Sequence, residues 1–218
     1  MERRETRIAA IISDFGGVLT SPLQGAFDAF QESSGISLAE LGQAMAAIAA
    51  RMGVNPLFEL ETGRLSEPDF LAQLGAALSE QMGRSIDMNG FGERYFARLE
   101  PNPRMIDYMR GLRERGYKLA ICTNNVREWE PRWRAMLPVD EIFHVVVDSA
   151  FVGARKPEPR IYELTLERLD VDAGAALLVD DVELNCGGAR DLGIRAVWFQ
   201  SSDQAIGEIE AALGERGG

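Results

Sequence analysis

Five short apolar runs, separated by helical patterns, constrain the fold of this chain most strongly. Each run is rich in Ile, Val, Leu or Ala, and together they cover residues 7–13, 117–122, 142–147, 175–179 and 195–199. Continuous apolar strands with helices between them are typical of a parallel sheet that is covered on both faces. We therefore predict an α/β fold with a Rossmann-like parallel sheet and helices on both of its faces.

The connections between the later runs carry the signals that begin and end helices. Pro103 follows Asn102 and suits the first turn of a helix, and Gly116 suits the end of that helix. The same signals predict three further helices, which begin near Pro157, Val182 and Asp203.

The segment between residues 20 and 100 has a different pattern, with no convincing strand. Apolar residues recur there at spacings of three and four, as on one side of a helix, at Leu38, Leu41, Met45, Ile48 and Met52. Residues 66–69 (Ser-Glu-Pro-Asp) resemble the capping box that begins a helix. A segment this long is not an ordinary connection in a compact domain. We interpret it as a helical subdomain inserted into a core formed by residues 1–19 and 101–218. The alternative, that these helices simply cover the sheet, remains open.

Polar residues lie at the carboxyl ends of the predicted strands or in the segment that follows. They are Asp14, Thr123 with Asn124, Lys156, and the adjacent pair Asp180 and Asp181. In open parallel sheets, ligands bind at the edge where the strands end. A carboxylate can attack phosphorus, hard carboxylate oxygens suit Mg²⁺, and a lysine can neutralise phosphate charge. The pattern therefore favours phosphoryl transfer.

Each of these residues alone has an ordinary explanation. Asp14 could be a turn residue, Thr123 could cap a helix, and Lys156 could be a solvated surface lysine. The pair Asp180 and Asp181 needs a compensating charge, which a cation or the following helix N-terminus could provide. Their combination in order along the chain favours the functional interpretation.

That order resembles the four motifs of the haloacid dehalogenase superfamily. The matching residues are the segment 14–20 (Asp-Phe-Gly-Gly-Val-Leu-Thr), Thr123, Lys156, and Asp180-Asp181 with Asn185. The segment 20–100 is similar to the helical cap of that family. The resemblance implies a Mg²⁺-dependent hydrolase of small phosphate monoesters that forms an aspartyl-phosphate on Asp14.

The resemblance also implies individual roles. The catalytic residues would be Asp14, Lys156 and Thr123. The Mg²⁺ ligands would be Asp14, the backbone carbonyl of Gly16, Asp181 and Asp180. The substrate contacts would be Thr123, Asn124, Gly17 and, from a break between cap helices, Glu59 and Arg64. A plain loop is the alternative for that break.

Gly16 is a departure from the usual pattern of phosphatases in this family. They carry a second Asp two residues after the nucleophile, which acts as a general acid and is worth about 10²–10⁴-fold in rate. The sequence is most similar to the Asp-x-Gly-Gly or Asp-x-Gly-Asn subgroup, which includes sugar-1-phosphate phosphatases, and a sugar phosphate is the expected substrate. Two alternatives remain: a 2-haloacid dehalogenase, whose halide leaves without a proton, and a catalytically weak member that binds a phosphorylated metabolite or a protein.

The composition indicates which classes of partner the protein lacks and in which cellular compartment we expect it. The formal net charge is −11 and basic residues do not cluster, so we expect no nucleic-acid partner. No apolar stretch is long enough to cross a membrane. Only residues 8–12 are continuously apolar before Ser13, too few for the core of a signal peptide, so we expect a cytoplasmic protein. The two cysteines suggest buried thiols rather than a disulfide framework. The sequence does not indicate an oligomeric state.

Overall fold

The structure is a computed structural model that describes residues 7–22, 25, 30–32 and 34–214. Parts of the predicted core (1–6 and 215–218) and of the predicted cap (23, 24, 26–29 and 33) lie outside the described residues.

A five-stranded sheet forms the centre of the described chain, and every strand pair in it is parallel. The strands are β1 (Ala10–Ser13), β2 (Lys118–Thr123), β3 (Val145–Asp148), β4 (Ala176–Asp180) and β5 (Arg195–Trp198). Their order is β3-β2-β1-β4-β5, so β1 lies in the middle. Ser13 is in register with Ile121 of β2 and Val179 of β4, which brings the ends of these three strands to one edge. The predicted parallel sheet is confirmed.

Four helices with complete bounds lie in the cap segment (residues 20–100); the first three pack against one another, and the last also packs against the core. They are α1 (Leu38–Met52), α2 (Pro56–Glu61), α3 (Glu67–Met82) and α4 (Phe91–Phe96). Ser66 caps α3 by accepting a hydrogen bond from the Asp69 N–H at 3.2 Å, as residues 66–69 predict. Apolar residues such as Ile48, Leu74 and Leu78 form a hydrophobic cluster separate from those of the sheet, and Val126 and Trp129 of the core also join it.

The two connections to the cap segment run side by side. Thr20 and Pro101 form an antiparallel bridge. The Ser21 N–H donates to the Glu100 carbonyl at 2.7 Å, and the Asn102 N–H donates to the Leu19 carbonyl at 2.8 Å. Because the chain leaves and re-enters the core at this bridge, we propose the division predicted from sequence: a core of 1–19 and 101–218 and a cap of 20–100.

The remaining helices cover both faces of the sheet. They are α5 (Pro103–Glu114), α6 (Glu130–Arg134), α7 (Val139–Ile142), α8 (Ser149–Val152), α9 (Pro159–Leu169), α10 (Glu183–Asp191) and α11 (Ser202–Gly214). Successive residues of β1 point to opposite faces, because Ile11 packs in the cluster that includes α5 and α11 while Ile12 packs in the cluster that includes α9 and α10. Cys122 and Cys186 are both buried free thiols.

The third strand begins later than the sequence pattern predicts. Residues 142–147 were expected to form one strand, but Ile142 ends α7 and β3 starts at Val145. Ile142 and Phe143 are nevertheless buried, so burial of the end of a helix and of the next strand produces one continuous apolar run. None of the helices in the described part of the chain is long and apolar enough to span a membrane.

Candidate active site

Asp14 lies directly after the central strand β1 and is 8% exposed. Its N–H continues the sheet by donating to the Val179 carbonyl at 2.9 Å. Its Oδ1 accepts a hydrogen bond from the Phe15 N–H at 2.6 Å, and its Oδ2 is 2.9 Å from Lys156 Nζ. The first strand therefore holds this carboxylate at the edge of the sheet in a fixed orientation.

Lys156 is fully buried between two carboxylates. Its Nζ is 2.9 Å from Asp14 Oδ2 and 2.5 Å from Asp180 Oδ2. Burial alone would lower the pKa of Lys156, but the two carboxylates raise it above its ordinary value and keep the ammonium charged. Asn124 holds the lysine backbone, because its Nδ2 donates to the Lys156 carbonyl at 2.9 Å and its Oδ1 accepts from the Lys156 N–H at 2.7 Å. Asn124, predicted to contact substrate, therefore has a structural task as well.

Asp180 ends β4, and both of its carboxylate oxygens have partners. Its Oδ1 accepts from the Val182 N–H at 2.9 Å and from Asn185 Nδ2 at 3.0 Å, and its Oδ2 faces Lys156. Asp181 follows and is only partly buried. Asp181 is therefore the more available of the two carboxylates for a ligand.

Carboxylate oxygens of Asp14, Asp180 and Asp181 lie within 4.8 Å of one another. Burial is the main reason why the pKa of Asp14 rises to about 7, with Asp180 and Asp181 adding to the rise and Lys156 opposing it. Burial, followed by the charge of Asp180, also raises the pKa of Asp181. Three close carboxylates with one neighbouring ammonium have an excess of negative charge, and hard oxygen donors of this kind fit Mg²⁺.

The turn after Asp14 approaches Asp181 closely. Gly17 has a φ of 74°, in the left-handed region, and a Cβ at this position would collide with the Asp181 carboxylate. Gly17 is thus needed for the shape of the site, whatever its contact with substrate. The predicted metal role of the Gly16 carbonyl and the predicted substrate role of Gly17 stay predictions.

A cavity of about 580 Å³ lies over these residues, between the core and the cap segment. Its charged end includes Asp14 and Asp181, and Thr123, at the end of β2, lines it too. The four strand-end positions predicted from sequence are therefore brought together, because they follow neighbouring strands. The rest of the cavity is lined mainly by apolar side chains of the cap.

The two residues predicted to select substrate from the cap lie elsewhere. Glu59 and Arg64 form a two-point ion pair, with both N–O distances at 2.8 Å, and neither lines the cavity. Their neighbours Phe58 and Glu61 do line it. The proposed contact of Glu59 and Arg64 with substrate stays a prediction, without support from this placement.

Sequence reasoning missed a contact between the cap and the core. Arg155 Nε is 2.6 Å from Glu61 Oε2, and the Arg155 guanidinium lies 3.8 Å from the centre of the Phe58 ring. Burial raises the pKa of Glu61, and the charge of Arg155 opposes that rise. The one feature of the sequence that pointed to Arg155 is its position directly before Lys156.

Sequence reasoning also missed the aromatic wall of the cavity. Trp129 and Tyr95 stack with ring centres 4.9 Å apart, and Trp129 Nε1 donates to Glu67 Oε1 at 2.7 Å. These side chains come from distant parts of the chain, so no local spacing predicts their meeting.

A covered parallel sheet with a carboxylate cluster and a buried lysine at its carboxyl edge is the arrangement of an α/β enzyme. A family model described as haloacid dehalogenase-like hydrolase matches residues 8–193. Because this match spans most of the chain, the chain belongs to the haloacid dehalogenase-like hydrolase family, as its motifs predict.

Two curated relatives show the range of sequence similarity. The chain is 39% identical to a glyceraldehyde 3-phosphate phosphatase of Pyrococcus abyssi over 108 residues, 48% of this chain and 44% of that protein. It is 29% identical to phosphatase MT3486 of Mycobacterium tuberculosis over 205 residues, 90% of this chain and 89% of that protein. The chain spans only 15 to 44% of the length of four relatives that it matches.

Two solved structures share the fold. A haloacid dehalogenase family enzyme of Bacteroides thetaiotaomicron, in complex with magnesium and inorganic phosphate, superimposes with a TM-score of 0.63 at 21% identity, covering 87% of this chain and 93% of that chain. The L-2-haloacid dehalogenase of Xanthobacter autotrophicus superimposes with a TM-score of 0.61 at 22% identity, covering 87% and 76%. At these identities the similarity shows the shared fold alone. The fold does not distinguish hydrolysis of a phosphate ester from removal of a halide.

Proposed function

We propose that this chain is a Mg²⁺-dependent phosphatase that hydrolyses a small phosphate monoester through an aspartyl-phosphate on Asp14. The observation that carries the proposal is the cluster of Asp14, Asp180 and Asp181 beside the buried Lys156. The cluster opens into the cavity under the cap, where an ester has room to bind.

The proposed reaction has two steps. In the first, a carboxylate oxygen of Asp14 bonds to phosphorus while the phosphorus–oxygen bond to the leaving group breaks, and the leaving oxygen takes a proton from solvent to become an alcohol. In the second, a water oxygen bonds to phosphorus and gives up a proton to solvent, the bond between phosphorus and Asp14 breaks, and inorganic phosphate and the free carboxylate are formed. In this proposal Lys156 orients Asp14 and offers positive charge to the phosphate, and Thr123 donates its hydroxyl to a phosphate oxygen.

The three carboxylates fit a divalent cation by charge and by donor type. Asp181 and Asp14 would hold Mg²⁺, with Asp180 supporting them through its contact with Lys156, and the Gly16 carbonyl is the further proposed ligand. When bound, Mg²⁺ would neutralise charge on the phosphate and reduce its repulsion by Asp14.

Phosphatase is favoured over dehalogenase by the carboxylate cluster. A halide leaves without a metal and without a proton, so three close carboxylates have no evident task in that reaction. Both relatives described above are named phosphatases, and the second matches this chain over nearly its whole length. The sugar phosphate expected from the subgroup resemblance stays a prediction, and the mainly apolar lining of the cavity does not support it.

The test compares release of phosphate and of halide by the purified chain. We expect phosphate release from p-nitrophenyl phosphate with Mg²⁺, its loss with EDTA, and no halide release from 2-chloropropionate. Asp14→Asn should abolish phosphate release. Asp191→Asn makes the same change at an exposed residue that ends α10 and does not line the cavity, so it should not. Halide release that survives EDTA, or a rate within a few-fold of wild type for Asp14→Asn, would overturn the proposal.

A further inference from the structure

We propose that the leaving group of the substrate is an apolar chain or ring rather than a sugar, an inference that rests on the proposed phosphatase function. The cavity of about 580 Å³ falls in the range that holds drug-sized ligands, well beyond a bare phosphate. Its phosphate end is charged, so the class of the leaving group is decided by the remaining walls.

Those walls are mainly apolar and come mostly from several cap helices. Leu41 and Met45 contribute from α1, Leu71 and Leu74 from α3, and Phe96 from α4. Tyr95, Phe91 and Trp129 close one side as a set of stacked rings. Leu41, Met45 and Leu71 are only partly buried, so they present apolar surface to the cavity that a ligand would cover.

The charged side chains on these walls are already paired with protein. Glu61 is bound to Arg155, and Glu67 accepts from the Trp129 indole N–H. Most described lining residues outside the phosphate end are apolar, so a sugar in this part of the cavity would lose more hydrogen bonds to water than the walls replace, which makes its burial unfavourable. An alkyl or aryl group loses no hydrogen bonds there and gains from leaving water.

The apolar surface continues out of the cavity mouth. Leu57 and Phe58 from α2 and Val182 and Leu184 from the core line the cavity and are also exposed large apolar side chains, with Leu184 69% exposed. An apolar path therefore leads from Asp14 to the surface. An extended chain could follow it, with its phosphate at the carboxylate cluster.

The first experiment is a series of n-alkyl phosphates from ethyl to octyl, with glucose 6-phosphate as a hydroxyl-rich comparison. The alcohols of the series have similar acidity, so chain length changes while leaving-group chemistry does not. We expect kcat/KM to rise up to about fourfold per added methylene, corresponding to about 0.8 kcal/mol each, until the cavity is filled. Hexyl phosphate should exceed glucose 6-phosphate at least tenfold. Equal rates along the series, or a preference for glucose 6-phosphate, would overturn the inference and leave the phosphatase proposal standing.

A binding measurement separates this inference from the reaction itself. Calorimetric titration of the Mg²⁺-loaded chain with ethyl- and octylphosphonate requires no turnover. Tighter binding of octylphosphonate with no hydrolysis of any ester would support the apolar site while the phosphatase proposal fails. Equal affinities would overturn the apolar site.

Two substitutions on the same helix locate the effect. Met45→Gln places an amide in the cavity wall with little change of size, and Met52→Gln makes the same change at a position that is 39% exposed and does not line the cavity. The ratio of octyl to ethyl phosphate kcat/KM should fall at least fivefold in Met45→Gln and stay unchanged in Met52→Gln. The ratio of the two kcat/KM values does not depend on how much of the protein is folded. An unchanged ratio in Met45→Gln would therefore contradict the proposed position of the alkyl group beside Met45.

Discussion

Replacement of Gly17 by Ala tests whether the turn after β1 must lie against the Asp181 carboxylate. Gly17 and Gly53 both have a φ of 74°, but a Cβ at Gly17 would collide with Asp181, whereas a Cβ at Gly53 would have no atom of the described residues within 4 Å. Gly53→Ala therefore measures the backbone cost alone, about 1–2 kcal/mol for a left-handed residue with a side chain. Gly17→Ala adds to this cost the displacement of a proposed Mg²⁺ ligand.

Thermal unfolding and turnover separate these two contributions. For a chain of this size, about 1 kcal/mol corresponds to a fall in Tm of about 2–4 °C. Both variants should lose stability, and Gly17→Ala should lose at least as much as Gly53→Ala. Only Gly17→Ala should lose activity, by about 100-fold, because a shift of about 1 Å in a catalytic group has that effect. A Gly17→Ala enzyme with wild-type turnover and Mg²⁺ dependence would refute the reasoning.

Three further predictions concern the metal, the leaving group and a buried carboxyl group. Asp181→Ala should weaken Mg²⁺ activation far more than Asn185→Ala, because a ligating carboxylate carries charge and a supporting amide does not; equal Mg²⁺ titrations would contradict this assignment. Since no carboxylic acid stands two residues after the nucleophile, rates across aryl phosphates of similar size should fall steeply as leaving-group pKa rises, and a flat series would indicate another proton donor. Burial, with Glu130 nearby and Arg127 opposing, raises the pKa of Asp148 to about 6. Because this folded pKa exceeds the ordinary 3.8, the contribution of Asp148 to stability should be greatest below about pH 4 and should be lost, by about 3 kcal/mol, as pH rises through 6. The difference in Tm between wild type and Asp148→Asn should therefore change in favour of the variant between pH 4 and pH 7, and an equal difference at both pH values would contradict the raised pKa.

The candidate site at the carboxyl edge of the sheet could be predicted from sequence because its geometry follows from strand topology. Asp14, Thr123 and Asp180 each end or follow a recognisable apolar strand, and parallel strands in one sheet end at the same edge. Lys156 lies beyond a strand, and its position depends on contacts with Asn124 that no local spacing reveals. Lys156 was predicted from its place after the third strand, and the family resemblance supplied its role.

The cap wall could not be predicted in the same way. Whether Glu59 or Glu61 lines the cavity depends on how α2 is rotated against the core, and the contact of Glu61 with Arg155 joins residues far apart in the chain. A helical spacing gives the apolar side of α1, including Met45, but not which part of that side packs in the cap and which part faces a ligand. These features follow from tertiary packing, so they cannot be predicted from the local sequence of α1 or α2.

The charged and apolar ends of the cavity have complementary tasks in the proposed reaction. Asp14 and Lys156 act more strongly on a phosphate when water is excluded, because electrostatic interactions strengthen as the effective dielectric constant falls. Apolar walls exclude water, but they bind a phosphate ester well only if its leaving group also gains from burial. An apolar leaving group meets both conditions: its transfer from water favours binding, and its presence seals the carboxylate cluster. Binding energy from a part of the substrate that does not react can then hold the phosphate in line with Asp14. A hydroxyl-rich leaving group would bring its hydration into the cavity and weaken both effects.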